Sequence, residues 1–426
     1  MKYNFDEIID RKNTGSLKWD VPDGELPMWV ADMDFRTAPV VTEAIAERAF
    51  HGIFGYTVVP DEWYEAYQSW WSSRHHFEIE KDWLVFCTGV VPAISSIIRK
   101  MTTVAEKVVV MTPVYNIFFN SILNNGRNIL ENRLKLENGV YEIDFKDLEK
   151  KLSDPQATLL LLCNPQNPAG KIWDKDTLKR IGDLCVKHHV LVLSDEIHCD
   201  LVKPGTEYVP FASVSENCRI NSITCVAPTK AFNIAGIQSA AVIVPDEAIR
   251  HKVNRGLNTD EVAEPNVFAA IAPVAAFMHG GEWLDELKAY LWENRKQAEE
   301  YIDREIENVT AIRGEATYLL WIDCRAVTEN SDQLCAYLRK RTGLYVCSGK
   351  EYRNGDGFLR MNLACPRTRL EDGLKRLKTG IEAYMNGPAA PFAKPHFVLI
   401  TAVTAVLLID RRSAHLIISN RIFMQA

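Results

Sequence analysis

The sequence predicts an α/β protein in which a mainly parallel sheet is flanked by helices on both faces. Six short apolar runs each have the length of a buried strand, and helical patterns separate them. The runs occupy residues 84–87, 108–111, 158–163, 190–193, 223–226 and 240–244. In such sheets, ligands bind beyond the carboxyl ends of the strands. The residues after each run are therefore the first candidates for a functional site.

Length and charge restrict the class of protein further. A chain of 426 residues exceeds the size of a single core, so about two domains of unequal size are expected. The hydrophobic fraction of 47% is typical of a globular enzyme. The net charge of −7 argues against nucleic acid or an anionic membrane as the main partner. We therefore expect a small-molecule ligand.

The ten cysteines indicate a reducing compartment. They occur singly and mostly inside apolar runs, without a C-x-x-C pair, and the first ten residues are polar and acidic rather than a secretory signal. This pattern predicts a cytoplasmic protein. The chain also lacks Cys and His spacings of the zinc-ligand type.

The first 75 residues combine helical patterns with irregular segments. An apolar, proline-bounded segment at 26–35 is expected to pack over another part of the protein, and helices are predicted near 40–50 and 61–74. We expect the Trp and Tyr side chains of the second helix to be core packing. Between the helices, a turn-rich loop carries Tyr56.

Groups suited to ligand binding follow the first four runs. Thr88 and Gly89 precede a helix whose first amides can hold a phosphate, and Gly89 is expected to permit a tight turn. Tyr115 follows the second run, and a proline-rich loop with side-chain amides at 163–170 follows the third. Asp195 lies at the end of the fourth run, where a buried carboxylate needs a cationic partner. Taken singly, Tyr115 and the Thr-Gly pair also fit ordinary packing.

Lys230 follows the fifth run and is the strongest single candidate. An ammonium in such an apolar site favours the neutral amine, which is the form that makes a Schiff base with an aldehyde. The alternative is a lysine that extends its stem to solvent, as most lysines do. The groups upstream of Lys230 favour the first interpretation.

A phosphate cradle, an aromatic ring, an amide, a buried acid and a buried lysine are the parts needed to hold pyridoxal phosphate. The acid would keep the pyridine nitrogen protonated, and the lysine would carry the aldehyde and later move protons. A nucleotide-binding alternative fails, because neither G-x-x-x-x-G-K-[ST] nor a G-x-G-x-x-G after the first run occurs.

Five motifs carry a specific resemblance. They are M-W-V-A-D-M-D-F, N-P-Q-N-P-A-G, S-D-E-I-H-C-D, A-P-T-K-A-F-N-I-A-G and F-L-R-M-N-L-A-C-P-R. On these motifs, residues 20–385 resemble a fold-type I pyridoxal-phosphate enzyme of the class I/II aminotransferase family. Within it they resemble the MalY/PatB group of cystathionine and cysteine-conjugate β-lyases. The resemblance implies a large domain around the parallel sheet and a smaller α+β domain.

The resemblance also implies roles for the candidates. Lys230 would be the Schiff-base lysine, Asp195 the partner of the pyridine nitrogen, Asn167 a donor to the ring hydroxyl, and Tyr115 the aromatic that stacks on the ring. The implied cofactor-binding residues are Lys230, Asp195, Asn167, Tyr115, Gly89, Val90, Val91, Thr229, His198 and Tyr56. The implied substrate-binding residues are Arg360, Ala31, Asn167 and Tyr115.

Three of these roles have alternatives. Arg360 suits a bidentate grip on an α-carboxylate, but it can instead pair with a local acid. His198 can orient the ring or Asp195, or be a hydrogen-bonded packing histidine. Tyr56, by analogy, would reach the phosphate of the other subunit's cofactor, which implies a homodimer with shared active sites; the alternative is an interface aromatic.

Two positions depart from the common aminotransferase pattern near the phosphate. Gln238 stands eight residues after Lys230, where many aminotransferases carry an arginine. Phosphate binding is then expected to rely on helix amides, on Thr229 and on Tyr56. Thr229 stands where serine is commoner, and the exchange keeps the hydroxyl.

We expect four parts along the chain. They are an N-terminal arm with part of the small domain (1–45), a large cofactor-binding domain (46–280), a small domain (281–388) and an apolar tail outside the resemblance (389–426). In the small domain we expect helices near 283–309 and 370–384 and strands near 317–322, 344–347 and 358–363. The tail contains 13 uncharged residues at 397–409, fewer than the roughly 20 that cross a bilayer. It can be a docking segment, a peripheral anchor or a segment without a role.

The reaction implied is α,β-elimination of an L-cysteine thioether such as L-cystathionine, with release of a thiol, pyruvate and ammonia. Transamination of an amino acid is the main alternative, because residue types do not decide where the proton returns. A regulatory binding protein that keeps the fold and the cofactor is an alternative of another class.

Overall fold

The structure is a computed structural model that describes residues 2–387. Its helices are α1 (Pro39–Phe50), α2 (Asp61–His75), α3 (Val90–Met101), α4 (Ile117–Leu123), α5 (Phe145–Leu152), α6 (Lys175–Lys187), α7 (Glu216–Ile220), α8 (Glu247–Thr259), α9 (Ile271–His279), α10 (Gly281–Glu305), α11 (Ser331–Thr342) and α12 (Arg367–Asn386). Its strands are β1 (Leu26–Pro27), β2 (Leu84–Cys87), β3 (Lys107–Thr112), β4 (Asn128–Arg133), β5 (Lys135–Glu137), β6 (Val140–Glu142), β7 (Ala157–Cys163), β8 (Leu191–Asp195), β9 (Ser222–Val226), β10 (Ala240–Ile243), β11 (Thr310–Ala311), β12 (Leu319–Asp323), β13 (Leu344–Tyr345), β14 (Cys347–Ser348) and β15 (Phe358–Asn362). The predicted apolar tail at 389–426 lies outside the described residues.

A seven-stranded sheet in the order β2-β10-β9-β8-β7-β3-β4 forms the centre of the large part of the molecule. The strands from β9 to β4 are parallel to their neighbours, and β10 runs antiparallel to both β2 and β9. Strand β9 is buried at all five positions. Because central strands with both faces covered need apolar side chains at every position, they appear as continuous runs in the sequence. The predicted mainly parallel sheet is confirmed.

Adjacent residues of β3 show that both faces of the sheet are covered. Val108 and Val110 pack in a hydrophobic cluster with side chains of α3 and α8. Val109 and Met111 point the other way, into a cluster with side chains of α5 and α6. The period of two along the strand therefore separates two apolar cores.

One strand of this sheet was not predicted. Strand β4 pairs only with β3, at the edge of the sheet, and its sequence N-I-L-E-N-R is mostly polar and only partly buried. An edge strand can face solvent, so its polar residues conceal it from a search for apolar runs.

A second, four-stranded antiparallel sheet in the order β11-β12-β15-β14 lies in the C-terminal part. Its core includes buried residues of α10, α11 and α12 together with Trp19, Leu26 and Met28 from the N-terminal arm. Strand β1 pairs in parallel with β13. The predicted packing of the 26–35 segment over another part of the protein is confirmed.

The predicted helices near 40–50, 61–74 and 370–384 correspond to α1, α2 and α12, and the long helix α10 ends four residues before the predicted 309. The prediction of one strand at 344–347 was wrong, because Val346 separates β13 from β14 and the two strands pair with different partners. The aromatic side chains of α2 are core packing as expected, with Trp63, Tyr67 and Trp71 almost fully buried. Within residues 2–387, no helix is long and apolar enough to cross a bilayer.

Candidate active site

A cleft of about 270 Å³ opens at the carboxyl ends of the parallel strands, where the fold class predicts a ligand. Its walls come from segments far apart in the sequence. The lining residues are Ala31, Thr88, Gly89, Val90, Val91, Pro92, Tyr115, Cys163, Asn167, Asp195, Ile197, His198, Thr229, Lys230, Ala235 and Gln238. Ten of the predicted site residues are therefore brought together in one cavity.

Lys230 lies in the turn after β9, and its half-buried side chain lines the cleft. Its Nζ donates a hydrogen bond to the carbonyl oxygen of Ala31 at 2.7 Å. Burial, followed by the positive charge of Arg360, lowers the pKa of the Lys230 amine to about 8. Of the two interpretations of this lysine, an amine that faces the cleft rather than the outer surface is the one observed.

The carbonyl oxygen of Ala31 is shared by two donors. Besides Lys230, the hydroxyl of Tyr318 donates to it at 2.9 Å. Tyr318 is buried just before β12, and it follows Thr317, which has a φ of +65°. A β-branched residue rarely adopts this left-handed conformation, so the surrounding structure holds a strained backbone there. Sequence reasoning missed Tyr318, because it belongs to a segment that reads as an ordinary strand.

Asp195 is the last residue of β8 and is buried below the cleft. Its carboxylate accepts a hydrogen bond from the backbone nitrogen of Ile197 at 3.1 Å. Among residues 2–387, Asp195 forms no ion pair. Burial raises the pKa of its carboxyl to about 7, although the hydrogen bond from Ile197 and the charge of Lys230 lower it. The cationic partner expected from the sequence must therefore come from a ligand.

His198 is buried and lines the cleft three residues after Asp195. Its Nδ1 has no hydrogen-bond partner within the described residues. Burial, together with the charges of Lys230 and Arg360, lowers the pKa of the imidazole to about 3, so the ring is neutral. The prediction of a hydrogen-bonded packing histidine was wrong for this nitrogen, which is left to a ligand or a water molecule.

Asn167 and Arg360 meet across the junction between the two sheets. The Nη1 of Arg360 donates to the Oδ1 of Asn167 at 3.2 Å, which leaves the amide nitrogen of Asn167 as a donor toward the cleft. The loop that carries Asn167 ends at Gly170, whose φ is +70°. A Cβ at this position would lie 2.6 Å from the carbonyl oxygen of Ala316, so only glycine fits.

Arg360 lies in the middle of β15 and is almost fully buried. Its Nη2 donates to the carbonyl oxygen of Trp29 at 2.8 Å and approaches the sulfur of Cys347 at 3.5 Å. Its Nε is buried and unpartnered within residues 2–387. None of its contacts within 4.0 Å is a carboxylate of the described residues, so the alternative of a local acid pair is wrong. The free Nε and the charge remain available for an anion.

Tyr115 follows β3 and forms another wall of the cleft. Burial raises the pKa of its hydroxyl to about 12, with Arg360 opposing the shift. The ring packs edge-on against Phe118 at a centroid distance of 5.6 Å. This contact with Phe118 fixes the orientation of the Tyr115 ring in the wall of the cleft.

The opposite end of the cleft is the start of α3. No side chain of the described residues caps this helix, so the amides of its first turn are free to bind an anion. The tight turn predicted at Gly89 was wrong, because its φ of 173° is extended backbone. A Cβ there would lie 3.2 Å from Cδ of Pro92. Thr229 and Gln238 line the same cleft.

Tyr56 is the one predicted cofactor-binding residue outside the cleft of its own chain. It is fully exposed, in a segment without helix or strand between α1 and α2. Phe50 and Val58 nearby are also largely exposed, at 90% and 79%. A contact of Tyr56 with a cofactor therefore requires another copy of the chain.

These groups select the kind of molecule that the cleft can hold. The uncapped start of α3 suits a phosphate, and the unpaired buried carboxylate of Asp195 suits a basic ring nitrogen that becomes cationic. The amine of Lys230 suits an aldehyde, and the unpartnered Nε of Arg360 suits a carboxylate. The donor set therefore fits pyridoxal phosphate together with an amino acid.

Comparisons with known proteins place the chain in a family. The aminotransferase class I and II family matches residues 27–377. Cystathionine beta-lyase PatB of Bacillus subtilis is 42% identical over 89% of this chain and 100% of its own length. Protein MalY of Escherichia coli is 32% identical over 89% of this chain and 99% of its own.

A solved structure of similar fold supports the same placement. The crystal structure of cystalysin from Treponema denticola, which contains a pyridoxal 5'-phosphate cofactor, superimposes with a TM-score of 0.87 and 33% identity. The match covers 90% of this chain and 99% of that one. The chain therefore belongs to the aminotransferase class I and II family.

Proposed function

We propose that the protein is a pyridoxal-phosphate-dependent carbon–sulfur lyase that cleaves L-cystathionine or related L-cysteine S-conjugates by α,β-elimination. The substrate and one water molecule are converted to a thiol, pyruvate and ammonia. One observation carries the proposal: Lys230 and Asp195 line one cleft, and Arg360 contacts Asn167 in the wall of that cleft. The chain that presents them is 42% identical to a cystathionine β-lyase.

Lys230, Asp195, Asn167 and Tyr115 are the residues that would hold the cofactor ring. Lys230 would carry the aldehyde, and Asp195 would keep the pyridine nitrogen protonated. A cationic nitrogen beside Asp195 would in turn favour the ionised carboxylate, against the effect of burial. The amide nitrogen of Asn167 would donate to the ring hydroxyl, and Tyr115 would stack on the ring. His198, which is neutral, adds no competing charge.

The phosphate would be held at the start of α3 by Gly89 and the amides of Val90 and Val91, and by the hydroxyl of Thr229. Gln238, which also lines the cleft, provides a neutral amide rather than a charge. The partial positive charge of the helix start therefore replaces the arginine of many aminotransferases.

Proton transfer at the substrate Cα is assigned to Lys230. When bound, pyridoxal phosphate supplies an electron sink for the carbanion that forms at Cα. A pKa near 8 leaves part of Lys230 as the neutral amine at physiological pH, so it can accept the Cα proton. The carbonyl oxygen of Ala31 then accepts a hydrogen bond from the resulting ammonium, with the geometry seen for Lys230 here.

The α-carboxylate of the substrate is assigned to Arg360. Its guanidinium keeps Nε free while Nη1 and Nη2 are fixed by Asn167 and Trp29, so the charge is oriented before the substrate arrives. Ala31, Asn167 and Tyr115 would contact the remainder of the substrate. The thioether sulfur would leave from Cβ as a thiolate.

We assign the chain to an N-terminal arm (1–45), a large domain (46–280) and a small domain (281–388). The separate core that unites α10, α11 and α12 with Trp19 and Met28 supports this division. Movement of the small domain and the arm over the cofactor would bring Arg360 and Ala31 onto the substrate and exclude water.

The homodimer and a cytoplasmic location are parts of the same proposal. The exposed apolar segment around Tyr56 supports a partner subunit whose cofactor phosphate Tyr56 would reach. The ten free cysteines support a reducing compartment.

Mixed dimers test the shared site. Lys230→Ala and Tyr56→Phe proteins are mixed, dissociated and reassociated. If Tyr56 acts across the interface, a mixed dimer has one complete site, and a statistical mixture recovers about a quarter of the wild-type sites. No recovery beyond the sum of the separate variants would contradict it, as would a monomer in analytical ultracentrifugation.

The reaction is tested with purified holoenzyme and a panel of L-cysteine thioethers. We expect pyruvate and free thiol in equal amounts without any keto acid, and no product from Lys230→Ala. Lys350→Ala, which removes an exposed lysine paired with Asp332, is the control. A strict requirement for a keto acid would identify an aminotransferase instead.

A further inference from the structure

A second cluster of reactive side chains lies outside the cleft, where α2 meets the turn that follows β8. It consists of His75, the last residue of α2, and of Cys199 and Asp200. One nitrogen, one sulfur and one oxygen from these residues all lie within 4.8 Å of one another. The function proposed above uses none of the three.

The donor types match a zinc-class cation. Zn²⁺ binds imidazole nitrogen at about 2.0 Å, carboxylate oxygen at about 2.0 Å and thiolate sulfur at about 2.3 Å, in a tetrahedron. Such bond lengths place ligand atoms roughly 3.3–3.5 Å apart. His75 Nε2 and Asp200 Oδ1 are 2.9 Å apart, so a movement of a few tenths of an ångström separates them enough. The cluster is therefore close to the geometry of three tetrahedral ligands.

The surroundings supply the other parts of a metal site. The Nε1 of Trp70 donates to Oδ1 of Asp200 at 2.9 Å, which fixes the carboxylate as outer partners fix metal ligands. A cavity of about 330 Å³ opens onto all three residues. It has room for a water molecule as the fourth ligand.

The charges also balance. The imidazole of His75 would bind through a neutral ring, and a thiolate at Cys199 with the carboxylate of Asp200 would neutralise a divalent ion. Burial raises the pKa of the Cys199 thiol, so the metal must displace its proton, which leaves through the cavity. Lys288 lines the same cavity and opposes a cation, whereas Arg74 is paired with Asp285.

The geometry points to a site for a single divalent metal ion of the zinc class at His75, Cys199 and Asp200, with water as the fourth ligand. The ion would tie α2 to the turn that carries His198 into the cofactor cleft. Bound metal is therefore expected to stabilise the holoenzyme, because only the folded chain brings the three residues together.

Cobalt is the spectroscopic probe, because a Co²⁺–thiolate bond gives an absorption band that carboxylate or imidazole ligands alone do not. The holoenzyme, stripped with a chelator and checked for retained cofactor absorbance, is titrated with Co²⁺ and then Zn²⁺. We expect one equivalent of Co²⁺ per chain, the thiolate band, its loss on addition of Zn²⁺, and a higher Tm with either metal.

Variants assign the ligands. Cys199→Ser should abolish the thiolate band, and Asp200→Asn and His75→Gln should each weaken Zn²⁺ binding by more than about 100-fold. Trp70→Phe should weaken it by only about 10- to 100-fold, as loss of an outer partner does. Lys288→Gln should tighten it. Cys218→Ser is the matched control, since Cys218 is also buried and free but lies elsewhere.

Other results would overturn the site. They are a holoenzyme that gives no thiolate band, a band that survives Cys199→Ser, or equal losses in Cys218→Ser. If Asp200→Asn and His75→Gln lower the Tm by the same amount with and without metal, the cluster is only a hydrogen-bonded support between α2 and the turn. All of these readouts are independent of lyase activity.

Discussion

Arg360→Gln tests the carboxylate site, because it removes the charge but keeps a side chain of similar length. A hydrogen bond to a charged group contributes about 1.5–3 kcal/mol, so losing the bond from the unpartnered Nε to a carboxylate costs about that much. Since about 1.4 kcal/mol is a factor of ten, kcat/KM for L-cystathionine should fall by about 10- to 100-fold. Arg360→Lys keeps the charge but not the planar guanidinium, so its kcat/KM should lie between those of the wild type and Arg360→Gln.

The assay compares two substrates by thiol release. One is an L-cysteine thioether, and the other is the matching cysteamine thioether, which lacks the carboxylate. In the wild type the first should be strongly preferred, and in Arg360→Gln the preference should nearly disappear. Cofactor absorbance and Tm confirm that each variant is folded and loaded. A variant that loses both activities in proportion would refute the assignment.

The same substitution should act on Lys230 in the cofactor-free protein. Burial lowers the pKa of Lys230 most, and the charge of Arg360 lowers it further. Removing that charge should therefore move the pH dependence of Lys230 acylation, followed by mass spectrometry, to higher pH. Arg360→Lys should leave it nearly unchanged. A shift to lower pH in Arg360→Gln would contradict the electrostatic reasoning.

Three further predictions follow from buried groups. Asp195→Asn should bind cofactor but lower kcat by about 100-fold, because a neutral amide cannot hold a cationic nitrogen; unchanged kcat would contradict this. Tyr318→Phe removes one donor to the Ala31 carbonyl and should lower the free energy of unfolding in urea by about 1 kcal/mol. Asp34→Asn removes the carboxylate that lies 2.9 Å from the amine of buried Lys18 and leaves it only Asp32, at 3.6 Å, so it should cost about 3 kcal/mol. Burial raises the pKa of Asp34, but Lys18 and its neighbours hold it below its ordinary value. The stability that ionised Asp34 contributes is thus complete above the pKa that its carboxyl has in the unfolded chain, and it is lost as the pH falls through the lower pKa of the folded state. Acid unfolding of the wild type and of Asp34→Asn can measure this loss.

The large sheet was predictable because its central strands are covered on both faces and must be apolar throughout. Once they are known to be parallel, their carboxyl ends lie at one edge, which brings Gly89, Tyr115, Asn167, Asp195 and Lys230 together. Each of these residues lies at the carboxyl end of a strand or within four residues after it, so position in the chain predicts position in space.

Other features depend on contacts that no local pattern records. Strand β4 is polar because it lies at the edge, and Tyr318 meets the Ala31 carbonyl only through packing of the C-terminal sheet against the arm. His75 and Asp200 are 125 positions apart, so spacing rules for metal ligands do not detect them. The prediction for Gly89 was right about its place in the cleft but wrong about a tight turn, since its backbone is extended.

The bond between Arg360 and the Trp29 carbonyl joins residues 331 positions apart. A ribosome that adds about 5–20 residues per second makes Arg360 roughly 17–66 s after Trp29. For that interval the nascent arm has no partner with which to complete the cleft. A chain interrupted during translation before residue 360 thus lacks the guanidinium that orders the Trp29 carbonyl in the complete protein.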